Sequence, residues 1–429
     1  ARYDAEGFQE EFTSFVKRVT QRPVVGVGRF TSPDTMVSQL RRGVLDMIGS
    51  ARASIADPFL PNKIREGRVE DIRECIGCNV CVGVEMDGVV VRCTQNPTMS
   101  EEWRRGWHPE RVPEAKQAQT VLIIGGGPAG SVGAIRAAQL GKKVACVEMD
   151  RAGGTCLNWG CIPTKSLLKN AEIYHLLKHQ ADQYGLKVEG LSYDWDKVIG
   201  RSRSVADRLA GGIEFLFKKN GVDYIRGEAT LESPGKVAVT DSAGAKTVHE
   251  TTDILVATGC VSRPFPDFPF NGKTVIGSKE AMVLAEQPKE IVIIGAGAIG
   301  IEFAYFFNAF GSKVTVVEMM PHILPVEDDE VSKTLEKSFK KQGINILTNT
   351  KVTGTKDTGS GVEITVEGKE TQMLKADTAL IAIGVAPVLP GGMELKADRG
   401  YLVTDDTYQT SAKGIYAAGD IIGPPWLAH

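Results

Sequence analysis

The strongest signal in the pattern of apolar and polar positions along this chain occurs twice. A continuous apolar run, Thr120-Val-Leu-Ile-Ile124, leads into Gly125-Gly-Gly-Pro-Ala-Gly130, a helical stretch over 131–140 and a second strand over 143–148 that ends on Glu148. Unbroken hydrophobicity over five residues, without alternation, marks a strand covered on both faces, as in a parallel sheet. The same order returns as Glu290-Ile-Val-Ile-Ile294, Gly295-Ala-Gly-Ala-Ile-Gly300, a helix through Phe310 and a strand over 313–318. From Gly125 to Glu148 and from Gly295 to Glu318 the offset is 23 residues in both copies. Two α/β units of one fold type are predicted. Ahead of them, 22–28 and 45–49 read as short buried strands flanking a helix over 32–42, which makes a single βαβ unit. Residues 101–117, rich in charge, tryptophan and proline, read as a linker or wrapping arm.

Composition narrows the class. The 429 residues are 42% hydrophobic and 24% charged, enough for about two to four domains. The net charge of −3, from 50 basic and 53 acidic residues, leaves no basic footprint for nucleic acid or an anionic membrane surface. No apolar run approaches the ~18 to 20 residues of a membrane helix, so no membrane insertion is expected. The first residues have neither the basic nor the apolar region of a secretory leader, so a soluble, cytoplasmic protein is expected.

The glycine loops carry chemistry because each follows a strand, opens a helix and precedes an acid at the spacing of a dinucleotide-binding turn. Gly125 and Gly295 allow the tight turn, Gly127 and Gly297 let backbone approach a pyrophosphate, and Gly130 and Gly300 let helix pack on strand. Glu148 and Glu318 are expected to accept from ribose hydroxyls, which favours adenosine without a 2′-phosphate. Eight cysteines divide by spacing: Cys75, Cys78, Cys81 and Cys93 form one group, Cys156 and Cys161 lie five apart, and Cys146 and Cys260 stand alone. A C-x₂-C-x₂-C triplet with a more distant fourth thiol is the spacing of a 4Fe-4S cluster, with structural zinc as the alternative. Cys146 and Cys260 read as small buried hydrophobes. His175 and His179, four apart on a charged helix, lack a third ligand and read as a solvated face, and Asp328-Asp-Glu330 reads as an acidic helix start.

The segment Gly153-Gly-Thr-Cys-Leu-Asn-Trp-Gly-Cys-Ile-Pro-Thr-Lys-Ser166, with Ala257-Thr-Gly259, Val317-Glu-Met-Met-Pro321 and Gly414-Ile-Tyr-Ala-Ala-Gly-Asp420, closely resembles flavin disulfide reductases of the dihydrolipoamide dehydrogenase type, over 117–429. The resemblance implies that the first glycine loop binds FAD and the second NAD, and that Thr155, Thr258, Gly259 and Asp420 belong to the flavin site. It implies that Cys161 is the sulfur on the flavin side, Cys156 the interchange thiol, and Lys165 with Glu302 an ion pair beside the flavin. A small-molecule or protein-bound disulfide or dithiol is the implied substrate.

Residues 20–130 resemble trimethylamine dehydrogenase and 2,4-dienoyl-CoA reductase, old-yellow-enzyme-like proteins, through Pro23-Val-Val-Gly-Val-Gly-Arg29, Ile48-Gly-Ser-Ala-Arg52, Cys75-Ile-Gly-Cys-Asn-Val-Cys81 and Arg104-Arg-Gly-Trp-His-Pro109. That family grips an FMN phosphate at the positions of Gly28, Arg29, Ala51 and Arg52. FMN binding and ordinary solvated arginines both stay open.

The combined expectation is an α/β chain with two Rossmann-like FAD- and NAD-binding domains, preceded by a partial (β/α)₈ barrel end and an iron–sulfur loop. Its divisions are 1–74 for the barrel end, 75–116 for the cluster segment and linker, 117–265 and 386–429 for the two parts of the FAD-binding domain, and 266–385 for the NAD-binding domain. Relative to these families the first barrel strands and the dimerisation domain, with its His and Glu acid/base pair, have no counterpart. Another chain or further segments are expected to complete them, and without that base dihydrolipoamide turnover is expected to fall by ~10² to 10⁴. The leading reading is an NAD-linked disulfide oxidoreductase. The alternative is the electron-transfer part of a multi-centre FMN, 4Fe-4S and FAD enzyme acting on an amine or enoyl-CoA, and the intact redox cysteines argue against a non-catalytic scaffold.

Overall fold

The computed structural model of the chain describes residues 5–86, 90–111 and 118–428. The chain divides into two compact units, Ala1–Glu114 and Ala115–Ala428; the expected boundary at 116 and the terminal His429 lie outside the described residues.

In the first unit the strands Val25–Gly26 and Met47–Ile48 pair in parallel, joined through the helix Pro33–Arg41. Ser32 caps that helix by accepting from the Asp34 N–H, and Pro33 occupies the first turn, where its missing N–H costs nothing. The βαβ unit is therefore present, but the expectation of buried strands needs correction. Val25 and Met47 are 59% and 50% exposed, because only one face of the two-stranded sheet is covered, by a small core of Phe30, Met36, Leu45, Ala53 and Leu60. Among the described residues no closed barrel forms.

A buried ionic knot ties this unit further along. Lys63 on the helix Leu60–Arg65 donates to Asp57 Oδ2 at 2.7 Å, to the Asp71 carbonyl at 2.8 Å and to Glu110 Oε1 at 3.0 Å. Lys63 and Asp57 are almost wholly buried, which is tolerable only because each is paired and hydrogen-bonded. Arg73 joins through its N–H to Asp57 and its guanidinium to Glu110. Both ends of the cysteine-rich segment are thereby held together.

The second unit contains two five-stranded parallel sheets. The first runs Ile415–Ala417, Asp253–Val256, Thr120–Ile124, Lys143–Glu148, Asp223–Arg226, and the second Val275–Ile276, Thr378–Ile381, Glu290–Ile294, Lys313–Val317, Asn345–Leu347. In each, the strand before the glycine loop is central and its apolar run is buried. Each sheet is accompanied by a second layer: the antiparallel strands Glu228–Ser233, Lys236–Thr240 and Lys246–Glu250, with Gly391–Gly392 added in parallel at the edge, in one case, and the antiparallel Lys351–Asp357, Val362–Glu367 and Thr371–Ala376 in the other. Cys260–Ser262 and Val385–Pro387 pair antiparallel where the chain passes from one sheet to the other and back. No helix among the described residues is long and apolar enough to cross a membrane.

Candidate active site

Both glycine turns have the geometry that their residue types demand. Gly125 and Gly295 sit at φ 105° and 102°, and a Cβ on either would overlap the carbonyl oxygen of Ala257 or Ala382. A Cβ on Gly130 or Gly300 would overlap the carbonyl of Gly125 or Gly295. The helices Pro128–Gln139 and Ala298–Ala309 follow at once, and at neither N-terminus does a side chain cap the free N–H groups. Nothing lies within 4 Å of a Cβ built on Gly297, and one on Gly127 would meet only Gly154 Cα, at 3.7 Å. Two open backbone cradles at positive helix ends fit two pyrophosphates.

The acids do something the spacing did not reveal. Glu148 accepts from the Gly126 N–H at 2.7 Å and the Asp150 N–H at 2.8 Å, and Glu318 accepts from Ala296 and Met320 at the same two distances. Both are buried. They shape the turn first, and each oxygen keeps a lone pair for a ribose hydroxyl.

Between the two cradles lies the sulfur pair. Cys156, in the helix Gly154–Trp159, is disulfide-bonded to Cys161, which opens the helix Cys161–His179, with Cα atoms 4.8 Å apart. Gly160 makes the junction possible, since a Cβ there would come within 3.1 Å of the Thr155 carbonyl and 3.3 Å of Cys156 Cα. One turn into the helix, Lys165 Nζ lies 2.6 Å from Glu302 Oε1 on Ala298–Ala309.

A chain of contacts gathers the remaining residues. Thr155 donates to the Cys260 carbonyl at 3.3 Å, and Cys260 donates through its thiol to the Asp420 carbonyl at 3.4 Å. Thr258 Oγ1 is buried with no partner, a hydroxyl placed for a ligand. Gly259 has φ 68°. Burial pushes the Asp420 carboxyl above its ordinary pKa. The open cradle and the orphaned hydroxyl fit FAD. Cys146 and Cys260 are buried as expected, and burial pushes their thiols up to about 12 and about 11. What sequence reading missed is the link that Cys260 makes between Thr155 and Asp420, residues more than 100 positions away on either side, for which no local pattern exists.

In the first unit, a cavity of about 320 Å³ is lined by Gly28, Arg29, Ala51, Arg52 and Cys75, with Phe8 and Thr31 among the other residues. The two arginines are half-buried rather than solvated. Arg52 donates to Asn79 Oδ1, and Arg29 packs against Gly77, so both border the cysteine triplet. Among the described residues no three His, Cys, Asp or Glu side chains are grouped closely enough to hold a metal ion. Cys78 Sγ pairs with Thr94 Oγ1 at 3.2 Å, and of the four thiols only Cys81 is buried. Cys81 is pushed upward by burial and by the charges of Cys75 and Cys93. Cys78 moves the other way, because hydrogen bonds from Thr94 and the Val80 N–H outweigh the upward push of its burial. The rings of His175 and His179 lie 4.8 Å apart, tilted by 45°, and acquire no third partner of metal-ligating type among the described residues.

Two nucleotide cradles flanking a disulfide define a flavin-dependent oxidoreductase site, and the comparisons agree. The chain belongs to the pyridine nucleotide-disulphide oxidoreductase family, which it matches over residues 119–429, and it is a flavin-dependent enzyme of that family using FAD and NAD. It is 42% identical over 323 residues to dihydrolipoyl dehydrogenase of Chlorobaculum parvum, covering 74% of this chain and 69% of that protein. Against dihydrolipoyl dehydrogenase of Zymomonas mobilis it is 43% identical over 315 residues, covering 72% and 67%. Among solved structures it resembles LpdA from Mycobacterium tuberculosis, with TM-score 0.66, 28% identity and 72% and 69% of the chains covered. The HOCl-induced flavoprotein disulfide reductase RclA from Escherichia coli gives TM-score 0.61, 28% identity and coverage of 72% and 67%. Residues 2–71 match the NADH:flavin oxidoreductase / NADH oxidase family.

Proposed function

We propose that the second unit moves electrons between NAD(H), FAD and the Cys156–Cys161 disulfide, and through it to or from a small-molecule or protein-bound dithiol of the dihydrolipoamide type. The observation that carries this is the disulfide at the start of Cys161–His179, flanked by Lys165 and Glu302. Bound FAD supplies two-electron exchange with a nicotinamide on one side and a sulfur on the other. Residues 117–265 and 386–429 form the flavin domain in this reading, with Gly125, Gly127 and Gly130 facing the pyrophosphate, Glu148 the ribose, and Thr155, Thr258, Gly259 and Asp420 the rest of the cofactor. Residues 266–385 take NAD on Gly295, Gly297, Gly300 and Glu318. Cys161 is the sulfur toward the flavin, and Cys156, once reduced, is the thiolate that attacks a substrate disulfide. The Lys165 ammonium, held by Glu302, steadies negative charge at the flavin edge.

Anaerobic titration with NADH tests the reading. One equivalent is expected to produce two free thiols and a long-wavelength thiolate–flavin absorbance, both lost in Cys161→Ser. Flavin bleaching with no change in thiol count would overturn it.

The cavity in the first unit favours a second, added reading, in which Arg29, Arg52, Gly28 and Ala51 hold an FMN phosphate and Cys75, Cys78, Cys81 and Cys93 ligate a 4Fe-4S cluster. The soft tetrathiolate donor set suits iron–sulfur or zinc. Iron and acid-labile sulfide in equal amounts support the cluster, and stoichiometric zinc supports the alternative.

A further inference from the structure

Among the four residues between the redox cysteines, Trp159 makes contacts that neither the nucleotide cradles nor the sulfur chemistry requires. Its indole N–H donates to Asp150 Oδ2 at 2.7 Å. The Arg203 guanidinium lies over the ring with its carbon 4.8 Å from the centroid, and Lys279 Nζ lies 4.5 Å from the same centroid. Lys279 Nζ also approaches Asp150 Oδ2 at 3.7 Å. Arg203 donates to the Asn158 carbonyl at 2.8 Å, and the buried Asn158 amide donates to the carbonyls of Ala152 and Gly154 at 3.0 Å each. Arg203 comes from the long helix Trp195–Lys219, and Lys279 from Ser278–Ala281, which follows the outer strand of the second sheet.

The residues between the two sulfurs are thus gripped from three directions by contacts that do not involve the S–S bond itself. We propose that Trp159, bracketed by Arg203 and Lys279, is a positioning residue that keeps Cys156 and Cys161 adjacent in the dithiol state and so sets how readily the disulfide re-forms. The principle is effective concentration: two thiols held together close a disulfide more favourably than two on a relaxed loop. The inference rests on Cys156 and Cys161 being the redox pair. It adds what tunes them, an aromatic face between two cations, which attract its π-electrons.

The test is equilibration of the FAD-loaded enzyme in glutathione buffers without NADH. Two glutathione thiols join as one disulfide, and the two electrons and two protons they give up convert Cys156–Cys161 into two thiols. The readout is the dithiol fraction, from mass spectrometry after alkylation. Trp159→Leu is expected to shift the equilibrium toward dithiol about tenfold, equivalent to about 30 mV. Trp159→Phe, which keeps an aromatic face for both cations, is expected to stay within threefold of the native enzyme. A Trp159→Leu shift under threefold, or a Trp159→Phe shift as large as that of leucine, overturns the proposal. Should the leucine variant not fold, Arg203→Met combined with Lys279→Met decides by the same threefold threshold. Failure of NADH to reduce the native disulfide counts against the redox pair itself, whereas the glutathione equilibrium reports on the bracket alone.

Discussion

Lys165 Nζ and Glu302 Oε1 stand 2.6 Å apart, joining the helix that begins at a redox cysteine to the helix that begins at the second glycine turn. The Lys165 side chain is 61% exposed, so the pair contributes less than about 1 kcal/mol to the fold. Lys165→Met is expected to leave the melting temperature almost unchanged while lowering NADH-driven disulfide reduction at least about tenfold. Calorimetry and a stopped-flow thiol assay measure the two effects separately.

The glycine turns predict a division of labour. Gly125→Ala places a methyl group onto the Ala257 carbonyl, and Gly295→Ala places one onto the Ala382 carbonyl. The first substitution is expected to yield protein purified without yellow colour. The second is expected to retain flavin but to raise the KM for NADH by about tenfold or more, which absorbance spectra and steady-state kinetics distinguish.

Removing Lys63 leaves the buried Asp57 carboxylate unpaired, and Lys63→Met is expected to destabilise the first unit by about 3 to 5 kcal/mol. Faster proteolysis between residues 72 and 111 is the measurement. Burial alone would raise the Asp57 pKa, but bonds from Lys63 and from the N–H groups of Arg73 and Phe59 outweigh it and hold it below the usual carboxylate range. A carboxyl depressed in the folded state contributes its stability above the unfolded value. That contribution is expected to fade as the pH falls below about 4, and urea midpoints across pH 3 to 6 check it.

Thiol labelling gives a pH-dependent test. With Cys260 and Cys146 pushed up to about 11 and about 12, roughly one in a thousand or fewer of either is a thiolate at pH 8. Iodoacetamide on the reduced, folded protein is expected to modify Cys156 and spare both. Labelling of Cys260 as fast as Cys156 would show that the site is more open than its 3% exposure implies.

Legibility from sequence followed locality. The strands Thr120–Ile124, Lys143–Glu148 and Glu290–Ile294 fall where the apolar runs place them, since continuous hydrophobicity and a following glycine suffice to define them. The first helix begins at Pro128 rather than at 131, because proline is welcome in a first turn although it reads as a breaker. The short strand at Val25 misled for another reason: apolar residues do not announce whether a second layer covers them. The three-stranded layer at 351–376 carries a weaker signal, Val362, Ile364 and Val366 alternating with polar residues and buried on one face, with no glycine loop to mark it. The redox pair, the glycines and the Lys165–Glu302 pair were accessible through motif and resemblance. The Lys63 knot and the bracket around Trp159 were not, since each is closed by a distant charged side chain, Glu110 in one case and Arg203 and Lys279 in the other, of a type that usually faces water.

The two parallel sheets close at opposite ends of their own segments. In the second, the outer strand Val275–Ile276 comes first, and all five strands have been made once Ile381 is added. In the first, the outer strand Ile415–Ala417 arrives about 160 residues after its neighbour Asp253–Val256. As the ribosome extends the chain from its N-terminus, the sheet over 275–381 is therefore the earlier to be completed, and the first sheet waits, one edge bare, until Ile415–Ala417 has been made. With Asp420 in the flavin-binding role proposed for it, just beyond that edge, insertion of the yellow cofactor follows completion of the other sheet.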